Sequence, residues 1–324
     1  AVIKQLHGGD AEKRTGMSSA ILLGISYAST IGGTATLVGT LPNMVMKKFY
    51  DEHFQDAVPL DFTNWFLFGL PVSLTLLVIC YVVFKMLLLR NSDHHAPDLD
   101  VCRQEYRALG KMQFEEKAIA WIFCAAIVLW FTLDDKMIWG IQLTGWRTYL
   151  LQWGIIPDEK FINESFVAIL MGMTLFFFPS RVKKGESLVT WNDVKKMPLG
   201  ILFLFGGGFA LAKGVEVSGL DDWIANQSAG LGVLAPWLMI LCLCIITTIF
   251  SEFASNTATV SLFMAILLPV IPHLGIPPLL AMMPVTLAAS YSFMLPVGTP
   301  PNTIVFGTEM IKVKTMLRVG LWLD

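Results

Sequence analysis

Charge is scarce in this sequence of 324 residues, of which 15% are charged and 55% are hydrophobic. A soluble domain usually carries about 25% charged residues. The sequence also lacks a cluster of lysines and arginines interleaved with aromatic residues, so a nucleic-acid partner is not indicated. The apolar residues instead gather in blocks of about 20 residues, the length that crosses a bilayer. The composition therefore predicts an integral membrane protein.

Patterns typical of enzymes and metal centres are missing as well. The five cysteines and five histidines are scattered along the chain, and no HExxH motif is present. Four of the cysteines lie in apolar blocks, where free cysteine behaves as a small hydrophobe. The glycine triplet at 206–208 does not complete the dinucleotide-binding pattern, and helix packing explains it better. We therefore expect neither an enzyme nor a resident metal centre.

The apolar blocks predict a series of membrane spans. They cover residues 18–45, 62–89, 117–133, 163–180 and 199–217, a close pair at 237–254 and 257–272, then 279–306, and a last block that begins near 315. Basic residues concentrate in the loops 90–117 and 181–198, which the positive-inside rule places in the cytoplasm. This orientation requires the pair at 237–272 to enter and leave on one side, which a re-entrant hairpin and two full spans both do.

A proline-rich stretch, Gly-Thr-Pro-Pro-Asn at 298–302, interrupts one of these spans. Two prolines remove two backbone donors and break a helix. Such a break is tolerated at membrane depth only where it is buried in protein or lines a cavity. Thr299 followed by Pro300 predicts an N-cap and a second half-helix. The start of that half-helix suits an anion, and the carbonyl groups that end the first half suit a cation.

The same pattern occurs 259 positions earlier as Gly-Thr-Leu-Pro-Asn at 39–43. A single kink of this kind commonly serves helix packing alone. A matching pair of breaks, however, is the sequence pointer to a midplane binding site in transporters built from inverted repeats.

A polar stretch separates the two apolar arms of the pair at 237–272. It contains Ser251, Ser255, Asn256, Thr257 and Thr259. Their hydroxyl and amide groups can donate to a carboxylate, and their oxygens can ligate sodium. The alternative is an ordinary polar turn outside the membrane. Glu252 is either a proton or cation group or an acceptor for backbone donors, and the sequence leaves both roles open.

Cation coupling is favoured because no arginine lies inside the predicted spans between residues 18 and 306. A bound anion would then be neutralised by helix dipoles, polar side chains and cations that bind with it. This argument concerns the charge of the substrate and not its identity.

Taken together, Ser-Asn-Thr at 255–257, the two pentapeptides and the segment YASTIGGTATLVGT resemble the divalent-anion/sodium symporter family. This family includes sodium-coupled cotransporters of dicarboxylates, citrate and sulfate. The resemblance implies an all-α polytopic membrane protein with two inverted repeats, each with a re-entrant hairpin and a broken transmembrane helix. It also implies a homodimer in which one portion moves like an elevator.

On this basis the chain divides into three parts. Residues 1–61 would end the first repeat and contain its broken helix, and residues 62–116 would form a connecting helix and a cytoplasmic linker. Residues 117–324 would form the second repeat, with its hairpin at 237–272 and its broken helix at 279–306. Only one Ser-Asn-Thr occurs, so we expect the first hairpin to precede residue 1. The apolar block that begins near 315 is only the start of a helix, which we expect to continue beyond residue 324.

The resemblance also implies the residues of the binding sites. The substrate-binding residues would be Ser255, Asn256, Thr257, Thr299, Pro300, Asn302, Thr40 and Asn43. The sodium ligands would be Ser251, Ala254, Asn256 and Gly298 in the second repeat and Gly39 in the first.

The sequence thus predicts a sodium-coupled symporter (Na⁺ being the co-transported ion) of small divalent anions in the plasma (inner) membrane. The expected substrates are C4-dicarboxylates such as succinate, malate and fumarate, or the tricarboxylate citrate. Two alternatives share the fold, namely a sodium-independent dicarboxylate exchanger and a sulfate transporter. An anion channel is the alternative from another class.

Overall fold

The computed structural model describes residues 14–55, 57–89, 99–138, 141–183, 185–196 and 235–324, with single positions between 203 and 220. Most of the predicted span at 199–217 therefore lies outside the described residues. The same holds for residues 1–13 and for residues 90–98 of the first basic loop.

Helices make up most of the described chain. Before residue 200 they are α1 (Arg14–Thr34), α2 (Leu41–His53), α3 (Phe62–Leu87), α4 (Leu99–Ala108), α5 (Phe114–Phe131), α6 (Trp146–Gln152), α7 (Glu164–Phe177) and α8 (Trp191–Val194), with a 3₁₀ turn at Glu159–Phe161. After residue 235 they are α9 (Pro236–Phe253), α10 (Asn256–Leu267), α11 (Ile271–Leu274), α12 (Pro278–Ser290), α13 (Pro300–Phe306) and α14 (Val313–Gly320).

Each predicted span outside 199–217 coincides with one or two helices. The two spans that carry the pentapeptides are broken as expected, since α1 and α2 are separated at residues 35–40, and α12 and α13 at residues 291–299. The close pair at 237–272 consists of α9 and α10, joined only by Ala254 and Ser255.

Two of the described helices are long and apolar enough to cross a membrane, α3 with 26 residues and α9 with 18. The helices α7, α10 and α12 are apolar but shorter. Large apolar side chains stand exposed along these helices, such as Val78 at 63%, Ile169 at 63% and Ile246 at 55%. Lipid would cover such side chains, in agreement with an integral membrane protein.

The all-α expectation misses one feature, a small β-hairpin. Strands β1 (Lys136–Ile138) and β2 (Ile141–Leu143) pair antiparallel, with Lys136 opposite Leu143. Each strand has three residues, which is too short for the period-2 pattern that identifies a strand in sequence.

The described chain forms two compact units. The first comprises the described residues of Ala1–Leu60, Asn64–Val101 and Leu199–Asp324, and the second comprises those of Asp61–Thr63 and Cys102–Pro198. These units are discontinuous in sequence and do not correspond to the predicted repeats. The repeat boundaries therefore stay a prediction.

In the first unit, α12 is the central helix. It packs against α2, α9 and α10, while α13 packs against α1. An aromatic core forms where α1 meets α3 and the segment after α12. There the Tyr27 ring lies 4.6 Å from that of Phe293 and 5.7 Å from that of Phe84, measured between centroids.

In the second unit, α5 packs against α7. The Trp130 indole N–H donates to the Glu164 carbonyl oxygen at 3.0 Å, which fixes the start of α7. The Glu115 carboxylate accepts hydrogen bonds from the backbone N–H groups of Arg181 and Val182, at 2.6 and 2.9 Å. These bonds order the turn that follows α7.

Candidate functional site: two broken helices and a polar hairpin tip

The first break is a tight turn between α1 and α2. The backbone N–H of Gly39 donates to the Thr36 carbonyl oxygen at 3.2 Å, and the Asn43 side-chain N–H donates to the same oxygen at 3.0 Å. A Cβ atom on Gly39 would collide with the Gly33 carbonyl oxygen and lie 2.6 Å from the Thr36 hydroxyl oxygen. This close approach explains why the turn requires glycine at position 39.

The second break repeats this geometry 259 residues later. The Gly298 N–H donates to the Leu295 carbonyl oxygen at 3.2 Å, and the Asn302 side-chain N–H donates to that same oxygen at 3.1 Å. A Cβ on Gly298 would meet Ser292 at 2.8 Å, at the position that corresponds to Gly33. The two pentapeptides therefore fold into equivalent turns.

Both breaks end in a threonine that precedes a helix containing proline in its first turn. Thr40 has φ −144° and ψ 143°, and Thr299 has φ −136° and ψ 152°, which are the extended angles of an N-cap. The Thr299 hydroxyl accepts from the Asn302 backbone N–H at 3.4 Å, whereas the Thr40 hydroxyl makes no cap bond. The predicted half-helix that starts at Pro300 behind a Thr299 cap is confirmed.

At the hairpin tip between α9 and α10, neither Ser255 nor Asn256 caps the helix that follows. Ser255 occupies the N-cap position of α10, but its side chain makes no cap hydrogen bond. The Asn256 amide does not cap the helix either, since its N–H donates to the Ser290 carbonyl oxygen at 3.1 Å. Ser255 is exposed, and the first N–H groups of α10 therefore have no side-chain cap.

An oxygen-rich cluster links this tip to the second break, and we call it the Ser292 cluster. The Ser292 hydroxyl donates to the Ser251 hydroxyl oxygen at 2.9 Å and lies 3.4 Å from the Asn256 amide oxygen. The Ser251 hydroxyl is 3.0 Å from the same amide oxygen and donates to the Ala289 carbonyl. Hydroxyl, amide and carbonyl oxygens of this kind are the ligands that hard cations prefer.

Three of the four predicted sodium ligands of the second repeat lie at this cluster. Ser251 and Asn256 belong to it directly, Gly298 lies against Ser292, and Ala254 stands at the tip two residues from Asn256. Gly39 belongs to the first break, whose following helix α2 packs against α10 and α12.

The predicted substrate-binding residues are distributed over three helix starts. Thr40 and Asn43 lie at the start of α2, Ser255 and Thr257 at the start of α10, and Thr299 and Pro300 at the start of α13. No lysine or arginine occurs in 35–43, 251–259 or 291–302. An anion at these helix starts would interact with N–H groups and hydroxyls.

Asn302 is fully buried, and its amide is occupied within the protein. Its N–H groups donate to the carbonyl oxygens of Ser292 and Leu295, and its oxygen accepts from the Ser26 hydroxyl at 2.6 Å. Asn43 is also fully buried but donates only to Thr36, and its oxygen has no hydrogen-bond partner. Contact of Asn302 with a substrate would require those bonds to break, so its contribution is to shape the second break.

Sequence reasoning missed the contribution of α1. Besides Ser26, the Tyr27 hydroxyl donates to the Phe293 carbonyl oxygen at 2.7 Å, and the Thr34 hydroxyl lies 2.7 Å from that of Tyr291. The sequence signal for this contribution was the series of polar residues along the otherwise apolar helix α1. Ser292 was missed because it precedes the proline motif that draws attention to the break.

Glu252 lies in the last turn of α9 and is 1% exposed. One carboxylate oxygen accepts from the Met294 backbone N–H and the other from the Leu295 backbone N–H, each at 2.8 Å. Of the two roles that the sequence left open, the geometry is that of an acceptor for backbone donors.

Comparison with known proteins agrees with these features. The model of the sodium:sulfate symporter transmembrane region matches residues 1–324. The chain therefore belongs to the sodium:sulfate symporter family, a family of transport proteins and not of enzymes, as the sequence predicted.

Two relatives carry more specific names. The chain is 34% identical over 331 residues to the sodium-dependent dicarboxylate transporter SdcS of Staphylococcus saprophyticus. It is 34% identical over 333 residues to the protein of the same name from Staphylococcus aureus strain USA300. Each alignment covers 100% of this chain and 60% of the relative, so the chain spans little more than half the length of these relatives.

The first break provides a test of its tight turn. We expect Gly39→Ala to lower the free energy of unfolding by about 1–3 kcal/mol, because the added methyl group collides with Gly33. Gly32→Ala is the matched control, since a Cβ there meets nothing within 4 Å and the residue is helical. That control should be neutral or stabilising by up to about 1 kcal/mol. Thermal unfolding in detergent measures both, and equal effects would contradict the account of the turn.

The equivalent asparagines provide a second comparison. Asn302→Ala leaves the Ser292 carbonyl oxygen without its donor and the Ser26 hydroxyl without its acceptor, and each such buried group costs about 1–3 kcal/mol. Asn43→Ala gives up one bond but also removes an unpartnered oxygen, so the loss should be about 1 kcal/mol or less. Unfolding measurements on the two variants should rank Asn302→Ala as clearly less stable. The reverse order would show that the bonds of Asn302 do not hold the second break.

Proposed function

We propose that this chain is part of a sodium-coupled symporter of small divalent anions, with C4-dicarboxylates as the principal substrates and citrate as a further one. The observation that carries the proposal is the Ser292 cluster, in which neutral oxygens from the hairpin tip and the second break converge. The names of the two relatives support sodium coupling and dicarboxylate transport.

Sodium would bind to oxygens of the Ser292 cluster. The proposed ligands are the side chains of Ser251 and Asn256 and the carbonyl groups of Ala254 and Gly298, with the Ser292 hydroxyl close by. In the first repeat the Gly39 carbonyl would serve a second ion. Ordering of the hairpin tip by sodium would precede binding of the anion.

The anion would dock at the helix starts beside these ions. The uncapped N–H groups of α10 and the free hydroxyls of Ser255 and Thr40 are available as donors, with Thr257 and Thr299 next to them. Since no basic side chain occurs in these segments, the charge of the anion would be balanced by sodium. Uptake of a dianion driven by a negative-inside potential needs more than two sodium ions.

We further propose that the two breaks are equivalent parts of inverted repeats. The matched turns support this proposal. In each turn, the side chain of an asparagine donates to the carbonyl oxygen of the residue seven positions before it. The hairpin α9–α10 would be re-entrant, because the 12 residues of α10 extend about 18 Å, short of the roughly 30 Å of a bilayer core.

The remaining assignments concern the setting of the transporter. The protein would reside in the plasma membrane with the loops 90–117 and 181–198 in the cytoplasm, as a homodimer whose substrate-binding portion moves across the membrane. The charge distribution of the loops and the resemblance to the family support these assignments.

A second substrate class is sulfate, which the description of the family favours. Sulfate and a dicarboxylate both present anionic oxygens to helix N-termini, so the helix starts by themselves do not distinguish them.

Uptake into liposomes tests the proposal. The full-length protein is reconstituted, and the entry of radiolabelled succinate is recorded with an inward sodium gradient and then with potassium in its place. We expect saturable uptake that requires sodium, with unlabelled dicarboxylates competing better than sulfate. Better competition by sulfate would assign the sulfate alternative.

Two other outcomes would contradict the proposal. Uptake that ignores sodium but depends on dicarboxylate loaded inside would identify an exchanger. A flux that rises linearly with high succinate concentration would identify a channel.

Asn256 provides the most specific substitution. Asn256→Ala removes an amide oxygen of the Ser292 cluster and the bond to Ser290. We expect loss of both sodium stimulation and uptake in the liposome assay. Gln152→Ala is the control, an amide truncated at an exposed position of α6, and it should transport normally. Transport by Asn256→Ala at the wild-type rate and sodium dependence would remove this residue from the site.

A further inference from the structure

We infer that Glu252 is a positioning residue that holds the two parts of the proposed sodium site together and thereby sets the affinity for sodium. The inference rests on the proposed sodium coupling and deepens it. Glu252 does not itself need to touch the ion.

The first step is the anchoring of the second break. The two oxygens of the buried Glu252 carboxylate accept the N–H groups of Met294 and Leu295, both at 2.8 Å. Outside a helix these N–H groups lack intrahelical partners, so the carboxylate replaces the bonds lost at the break.

The second step leads from Leu295 to the proposed ligand Gly298. The Leu295 N–H donates to Glu252. The Leu295 carbonyl oxygen accepts hydrogen bonds from the Gly298 N–H and from the Asn302 side chain. The position of Leu295, which its N–H bond to Glu252 helps to fix, therefore determines where Gly298 stands. A Cβ on Gly298 would lie 3.2 Å from a carboxylate oxygen of Glu252, so the two residues are in close contact.

The third step places the other ligands on the same helix end. Ser251 precedes Glu252 directly, and Ala254 follows two residues later at the end of α9. One side chain thus connects the ligands contributed by α9 with the ligand contributed by the second break.

This role differs from that of a residue needed only for folding. A purely structural acceptor would change stability or the amount of active protein, with no change in the sodium concentration that gives half-maximal uptake. A residue that sets the geometry of the sodium site changes that concentration in the protein that does fold.

The experiment measures succinate uptake by the full-length protein in liposomes over a range of sodium concentrations. The variant is Glu252→Gln, whose amide oxygen can accept one N–H while its own N–H₂ opposes the other. We expect the half-maximal sodium concentration to rise about tenfold, the effect of losing one hydrogen bond. The succinate KM at saturating sodium should stay unchanged.

The matched control is Glu52→Gln, an exposed glutamate of α2 whose carboxylate lies 3.6 Å from the Lys48 ammonium. It should leave the sodium dependence at the wild-type value. Glu252→Asp is the second variant, because its shorter side chain cannot reach both N–H groups, and it should also raise the half-maximal sodium concentration.

The outcomes separate the inference from the proposed function. Wild-type uptake without sodium dependence would show that the proposed function has failed. Sodium-dependent wild-type uptake with an unshifted half-maximal concentration in both variants would overturn the inference alone. Failure of both variants to give folded protein would overturn it too, since Glu252 would then be a requirement of folding.

Discussion

The structure depends on how the unwound backbone at residues 291–299 satisfies its hydrogen bonds. An unpaired backbone N–H or carbonyl group in an apolar environment costs several kcal/mol. Here the carboxylate of Glu252, the amide of Asn302 and the hydroxyl of Tyr27 supply partners from three different helices. Asp324 supplies another, since its carboxylate accepts the Phe293 N–H at 3.1 Å. A break that would be prohibitive in an isolated helix is stable because α1, α9 and α13 surround it.

The same constraint distinguishes backbone N–H groups that already have hydrogen-bond partners from those that remain open to a ligand. At the second break, side chains occupy the N–H groups of residues 293–295 and leave the helix starts with their positive ends exposed. The hydroxyls of Ser255 and Thr40 are not used as caps. An anion at these helix starts would therefore meet groups that the fold has left open, without competing with the bonds that hold the break.

Local features of the fold could be predicted from the sequence, because they depend on local chemistry. Apolar length identified α3 and α9, and the proline motifs identified both breaks and the threonine at each helix start. The β-hairpin at 136–143 gave no periodic signal because its strands are three residues long.

Partners distant in the chain could not be predicted in the same way. Ser26 and Asn302 are 276 residues apart and meet only in the folded chain. The role of Glu252 depended on which donors would surround it, and Ser292 had no local motif to distinguish it from other serines. Sequence reasoning therefore named the candidate ligands Ser251, Asn256 and Gly298, whose role stays a prediction, but not the residues that hold them in place.

The central claim is that the Ser292 cluster binds sodium. The most direct test is equilibrium binding of radioactive sodium to the purified full-length protein in detergent, without substrate, for the wild type and for Ser251→Ala. The account predicts saturable binding by the wild type that potassium does not displace, and weakened binding in the variant. Absence of saturable binding by the wild type, or equal binding by the variant, would contradict it.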